Sequence, residues 1–214
     1  MTCPVQTSCH FGPLLVSFDA RALVPRAWTL RQSEWAAELC ERAPVGPILE
    51  LCAGVGHIGL AAAVLAGRNL VQVEVDPVAA EFARLNAGRA GWSDRVDLRR
   101  APLLDALTAG ERFPVIIADP PYLRSAQVAS WPDDPPLAID GGVDGLNLVR
   151  VCLELAALHL EDEGQLLLQL AGPGQDHQVQ VELNSHPHWN LAHRAVDVVD
   201  EERVITLIVK RARR

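Results

Sequence analysis

The chain has 214 residues, 49% of them hydrophobic and 21% charged, a composition that excludes disorder, collagen and coiled coil and suits one domain. A net charge of −8 at pH 7 repels phosphate backbones on average and disfavours a nucleic-acid partner. Five cysteines, an odd number too sparse for a disulfide framework, are expected as reduced thiols, and no apolar run reaches the roughly 18 residues of a membrane helix.

Residues 1–30 read as an extended cap segment, since about 30 residues cannot bury a core of their own, and residues 31–214 as the folded domain. The N-terminus lacks the basic-then-apolar order of a leader, so a soluble cytoplasmic protein without membrane contact is expected. Along the domain, apolar runs of strand length alternate with helical patterns. Strands are predicted at 47–52 (PILELC), 69–75 (NLVQVEV), 96–99, 114–118 (PVIIA), 164–170, 191–199 and 203–209. Helices are predicted from Gly59 to 65, over 77–90 with Pro77 in the first turn, and over 146–160. Such alternation makes an α/β protein whose seven-stranded sheet is mostly parallel, with helices on both faces. The short turn Asp200-Glu201-Glu202 makes the last two strands an antiparallel hairpin.

Chemistry concentrates at three strand ends. Glu50-Leu51-Cys52-Ala53-Gly54-Val55-Gly56 follows the first strand and opens a helix, the context that gives a glycine loop meaning. Gly54 and Gly56 allow a tight turn and close approach of a ligand to backbone N–H groups. A dinucleotide pyrophosphate and the methionine and ribose of S-adenosyl-L-methionine (SAM) compete for such a loop. Glu50 favours SAM, as a partner for its ammonium or for a bound water; a solvated strand-end carboxylate is the plain alternative. Glu74 stands twenty residues after Gly54, where a carboxylate accepts both ribose hydroxyls of NAD or SAM alike. Asp76 before Pro77 fits a helix N-cap.

Asp119-Pro120-Pro121-Tyr122 follows PVIIA. The Asp119 side chain and the Pro120 carbonyl can both accept from one planar NH2 group, Pro121 stiffens the turn, and Tyr122 offers a stacking face. Two acceptors on one nitrogen orient it and stabilise the positive charge that grows there during alkylation. These four residues are the candidate catalytic group.

Phe11-Gly12, Leu23-Val24-Pro25-Arg26 with Thr29, ELCAGVGHIG, VEVDP with Asn86, ADPPY, and above all PPLAIDGGVDGL at 135–146 resemble the HemK/PrmC family. The resemblance runs from about residue 11 to Val204 and includes Gln175, Asp200 and Arg203. It implies a Rossmann-like Class I methyltransferase fold and SAM as cofactor. It also implies methylation of a glutamine side chain in a protein such as a release factor, and it admits a small activator subunit as partner. The cofactor set it implies is Glu50, Cys52, Ala53, Gly54, Gly56, Glu74, Val75, Pro102, Leu103, Asp119 and Thr29. No metal is implied. This chain differs from the family in carrying Asp119 for an asparagine, Cys52 at the first glycine place, and Pro102 where an acid near the adenine is usual. It is expected to be a short form without the helical N-terminal domain of the bacterial enzymes. Methylation of a nucleobase amine, which Asp119 supports, and a non-catalytic SAM-binding role are the alternatives.

Other polar residues carry plainer expectations. His57, inside the glycine loop, reads as a solvent-exposed helix-start histidine. Cys3, Cys9 and His10 lack a fourth ligand and the spacing of a zinc site.

Overall fold

A computed structural model describes residues 6–212; Cys3 and the tail residues Arg213 and Arg214 lie outside them. Strands β1 (Thr7–Phe11) and β2 (Leu14–Phe18) pair as a separate antiparallel hairpin. The main sheet holds β3 (Ile48–Leu51), β4 (Leu70–Glu74), β5 (Val96–Arg100), β6 (Phe113–Ala118), β7 (Leu160–Leu170), β8 (Leu191–Asp200) and β9 (Arg203–Lys210), in the order β5-β4-β3-β6-β7-β9-β8. The helices are α1 (Leu30–Cys40), α2 (His57–Ala66), α3 (Pro77–Arg89), two single turns α4 (Ser125–Val128) and α5 (Pro136–Ile139), α6 (Asn147–His159) and α7 (Gly172–Ser185).

All seven predicted strands form, and the pairings from β5 through β7 are parallel while β9 runs antiparallel to both β7 and β8. Strands β3 and β6 are buried along their whole length, because helices cover both faces of a parallel sheet. One face carries the hairpin with α1, α2 and α3; the other carries α6 and α7. Strand β7 starts at Leu160 rather than near residue 164. Its register against β6 slips between Phe113 and Val115, and Glu163 adopts a left-handed φ of 63°, so the early residues form a bulge that a plain strand pattern hides.

Local chemistry explains the helix ends. Asp76 caps α3 by accepting from the Val78 N–H at 2.8 Å, with Pro77 in the first turn, as expected of an Asp-Pro start. Helix α2 is apolar nearly all round and buried, which is why no amphipathic stripe marks it.

The N-terminal region is more structured than an extended cap. Phe11, Leu14, Val16 and Phe18 of the hairpin enter the core. Asn86 of α3 pins β2, accepting from the Ser17 N–H at 2.7 Å and donating to the Ser17 and Val55 carbonyls at 3.1 and 2.9 Å. Among the described residues no helix is long and apolar enough to cross a membrane.

Candidate active site

Strand order reverses between β3 and β6, and in open α/β sheets the crevice at such a switch point, beyond the carboxyl ends of the strands, is where ligands bind. A cavity of about 520 Å³ occupies that place. The loops after β3, β4, β5 and β6 build it, and each predicted strand-end motif arrives there.

The glycine loop closes one side. Cys52, Ala53 and Gly54 line the cavity, and Cys52 takes a left-handed φ of 57°, a conformation that suits the glycine it replaces. Glu74 and Val75 line it from the end of β4. The Glu74 carboxylate accepts from the Gly54 N–H at 2.6 Å and the Asp76 N–H at 2.7 Å, so it both shapes the loop and keeps free lone pairs toward the cavity. Burial raises its pKa. Pro102 and Leu103 form the opposite wall.

Glu50 is placed differently from the sequence expectation. It is buried and absent from the cavity wall; its carboxylate accepts from the Gly59 N–H at 2.8 Å and from Gln72 Nε2 at 2.7 Å. Gln72 Nε2 also donates to the Gly56 carbonyl at 2.9 Å. Glu50 therefore braces the loop from behind, and a Cβ at Gly59 would lie 2.7 Å from its carboxyl carbon. Burial pushes Glu50 up to about 7. Gly56 and Thr29 likewise support the site without lining it.

His57 is not the exposed residue expected from its position. It lines the cavity, meets Phe11 edge-on at 4.7 Å between ring centroids, and lies 3.5 Å from Thr29 Oγ1 through Nε2. Its Nδ1 is buried without a partner, and burial pushes its pKa down to about 3, so the ring is neutral at physiological pH. Leu23, Asp105 and Leu137 also line the cavity. Leu23 belongs to the Leu23-Val24-Pro25-Arg26 motif and Leu137 to PPLAIDGGVDGL, whereas Asp105 stands outside any motif of the sequence. Asp105, three residues beyond Pro102, supplies a carboxylate in the region where the family's usual acid is missing.

On the remaining side stand Asp119 and Pro121. Pro120 and Tyr122 do not line the cavity. Burial pushes Asp119 up to about 7. Tyr122 is partly buried, and its phenol is raised by burial and by the Asp119 charge. The 135–146 segment folds back to hold this turn. Leu123 N–H donates to the Ile139 carbonyl at 3.0 Å, Gly141 N–H to the Leu123 carbonyl at 2.8 Å, and Asp140 accepts from Ser125 Oγ and the Gly142 N–H at 2.7 and 2.9 Å. At Gly145, with φ of 79°, any side chain would collide with the Tyr122 carbonyl. Among the described residues no three metal-ligating side chains converge.

The residues present fit an adenosyl-methionine ligand: a strand-end carboxylate for the ribose, apolar walls for a purine, and carboxylates with a neutral histidine in place of any lysine or arginine. With its sheet order, this site defines a Class I methyltransferase domain. Residues 58–130 match the RMKL-like methyltransferase domain family. The chain is 33% identical over 178 residues to the ribosomal protein uL3 glutamine methyltransferase of Bordetella pertussis, covering 80% of this chain and 59% of that protein. It is 34% identical over 169 residues to the release factor glutamine methyltransferase of Mycolicibacterium smegmatis, covering 74% and 57%. It thus spans under three fifths of the length of these relatives. The catalytic domain of human METTL16, solved with an RNA hairpin from the MAT2A 3′ UTR, superposes with a TM-score of 0.74 at 17% identity, over 92% of this chain and 74% of that one. Over this domain the chain is similar to glutamine methyltransferases of the HemK/PrmC type.

Proposed function

We propose that this chain uses SAM to methylate a planar amide nitrogen, the side chain of a glutamine in a cytoplasmic protein. The observation that carries the reading is the Asp119-Pro120-Pro121-Tyr122 turn at the end of β6, with Asp119 opening onto the cavity that Glu74 and the glycine loop share. When bound, SAM supplies an electrophilic methyl group on sulfur. Glu74 would hold its ribose hydroxyls, and Val75, Pro102 and Leu103 its purine.

The chain's own residues then act on the acceptor. The Asp119 carboxylate and the Pro120 carbonyl accept the two N–H groups and hold the nitrogen for attack. As positive charge grows on the nitrogen, Asp119 stabilises it, in a pocket where burial strengthens the interaction. With a pKa of about 7, the same carboxylate suits receipt of the proton the nitrogen sheds.

A second reading, methylation of a nucleobase amine, is favoured by the carboxylate at position 119. Against it, the cations beside Tyr122 are already paired. Arg26 contacts both oxygens of Asp134 at 2.6 and 2.7 Å, and Arg203 contacts Asp200 at 2.5 Å, which leaves them poorly placed for phosphate. Transfer of radiolabelled methyl from SAM to the protein and RNA fractions of a cell extract separates the readings. Label in protein supports the first, label in RNA the second, and label in neither supports a non-catalytic SAM-binding role.

A further inference from the structure

His57, the first residue of α2, lines the cavity yet has no part in the reaction proposed above. Its ring is fixed on two sides, by Phe11 edge-on at 4.7 Å between centroids and by Thr29 Oγ1 at 3.5 Å from Nε2. The Thr29 hydroxyl donates its own proton to the Arg26 carbonyl at 2.8 Å, so toward the ring it can only accept. Nε2 therefore carries the imidazole proton, and Nδ1 is left as a bare acceptor. Among the described residues that nitrogen is buried without a partner, a cost that a ligand bringing an N–H to this wall removes.

We propose that His57 binds the amino-acid end of the methyl donor, its Nδ1 accepting a hydrogen bond from the α-ammonium of the methionine portion. The inference rests on the SAM reading and adds to it the residue that holds this end of the ligand. The acids nearby have other duties. Glu50 lies behind the glycine loop, with one oxygen accepting from the Gly59 N–H and the other from Gln72 Nε2, while Glu74 serves the ribose and Asp119 the acceptor. An ammonium needs an acceptor that carries no proton of its own at that atom. Burial holds the imidazole down to about 3, so the ring stays neutral and keeps the Nδ1 lone pair. Phe11 of the hairpin and Thr29 ahead of α1 set the ring's orientation, and through it the N-terminal region serves the cofactor.

Two ligands isolate the contact by calorimetry on the full chain. S-adenosyl-L-homocysteine carries the ammonium, whereas 5′-methylthioadenosine keeps the adenosine and the sulfur but lacks the amino acid. His57→Phe, which keeps a ring against Phe11, is expected to weaken binding of the first about tenfold or more and of the second less than about twofold. His57→Asn, whose amide oxygen can take the place of Nδ1, should recover most of the lost affinity. His57→Gln, which reaches the place of Nε2 instead, should not. Retained methylthioadenosine binding shows in the same series that each variant is folded. Equal losses for both ligands, or no loss for either, would overturn the proposal.

Nitrogen NMR of the wild-type chain labelled with 15N at histidine reads the acceptor without any substitution that could disturb the fold, and the spectrum of His57→Asn identifies its signals among the seven histidines. In the free chain Nε2 is expected to resonate as a protonated nitrogen and Nδ1 as a bare one. S-adenosyl-L-homocysteine, and not methylthioadenosine, should move the Nδ1 signal toward that of a hydrogen-bonded acceptor. A protonated Nδ1 in the free chain, or an Nδ1 signal that both ligands leave in place or move alike, would overturn the proposal. Failure of the wild type to bind either ligand would overturn the SAM reading itself, whereas binding that ignores His57 would overturn this inference alone.

Discussion

Gln175 Nε2 donates to the main-chain carbonyl of Tyr122 at 2.8 Å, across 53 residues of sequence. Its Oε1 accepts from the Ala171 N–H at 2.8 Å, so one buried amide ties the start of α7 to the turn that carries Asp119. Gln175→Ala leaves both backbone groups without their partner. It is expected to lower methyl transfer at least tenfold and stability by about 1 to 3 kcal/mol, with SAM affinity little changed. Calorimetric SAM titration beside a transfer assay checks this, and a parallel fall in affinity and transfer would show that α7 supports the cofactor cavity instead.

Glu74 has two duties that can be separated. Glu74→Ala removes the proposed ribose contacts and also releases the Gly54 and Asp76 N–H groups. SAM affinity is expected to fall by roughly 2 to 3 kcal/mol. Glu74→Gln keeps an acceptor for the loop while losing the charge, so it should fall between wild type and Ala. Unchanged affinity in both variants by calorimetry would remove Glu74 from the ribose site.

Asp119 links the site to pH. Its pKa is raised from the ordinary 3.8 to about 7, so the folded chain holds a proton there that the unfolded chain has lost. The resulting contribution to stability is present below about pH 4 and is lost as pH rises through about 7. Asp119→Asn cannot ionise and escapes that loss. Thermal melts of the unliganded chain should therefore show the variant stabilised by a few degrees at pH 8 and close to wild type at pH 4. Equal shifts at both pH values would mean that Asp119 is not raised.

The N-terminal hairpin is expected to be part of the domain's stability. Asn86→Ala leaves the Ser17 N–H and carbonyl and the Val55 carbonyl unpaired in a buried place, at an expected loss of about 2 to 4 kcal/mol by chemical denaturation. Deleting residues 1–30 also strips Phe11 from His57 and Leu23 from the cavity wall. That truncation should melt lower and bind SAM more weakly, and full affinity would show that the segment does not serve the cofactor.

The legible parts of the sequence were those where one physical constraint acts alone. Runs such as PILELC and PVIIA read as strands because a parallel strand buried on both faces must be apolar throughout, and Asp76-Pro77 announced a helix start. Helices α1 and α7 carried no comparable signal, because their buried faces are partly polar. Gln32 is fully buried to donate to the Ala118 and Leu167 carbonyls at 3.0 and 3.1 Å, Ser33 is buried to donate to the Ile58 carbonyl, and α7 buries Gln175 and Asp176. Tertiary hydrogen bonds of that kind leave no periodicity. Motif spacing brought Glu74, the glycine loop and Asp119 to one cavity, yet it could not tell a residue that lines the cavity from one that braces it. Glu50 and His57 exchanged those roles: the acid expected near the ligand lies behind the loop, and the histidine expected in solvent forms the wall.

The most direct test is the transfer of radiolabelled methyl from SAM to a cell extract by wild type and by Asp119→Ala, with SAM affinity measured on both. Wild type is expected to label the protein fraction. Asp119→Ala should lower that label by on the order of a hundredfold or more, the loss typical of one positioned electrostatic group, with SAM affinity within about tenfold. Label confined to RNA, or label in protein that Asp119→Ala leaves intact, would contradict the account.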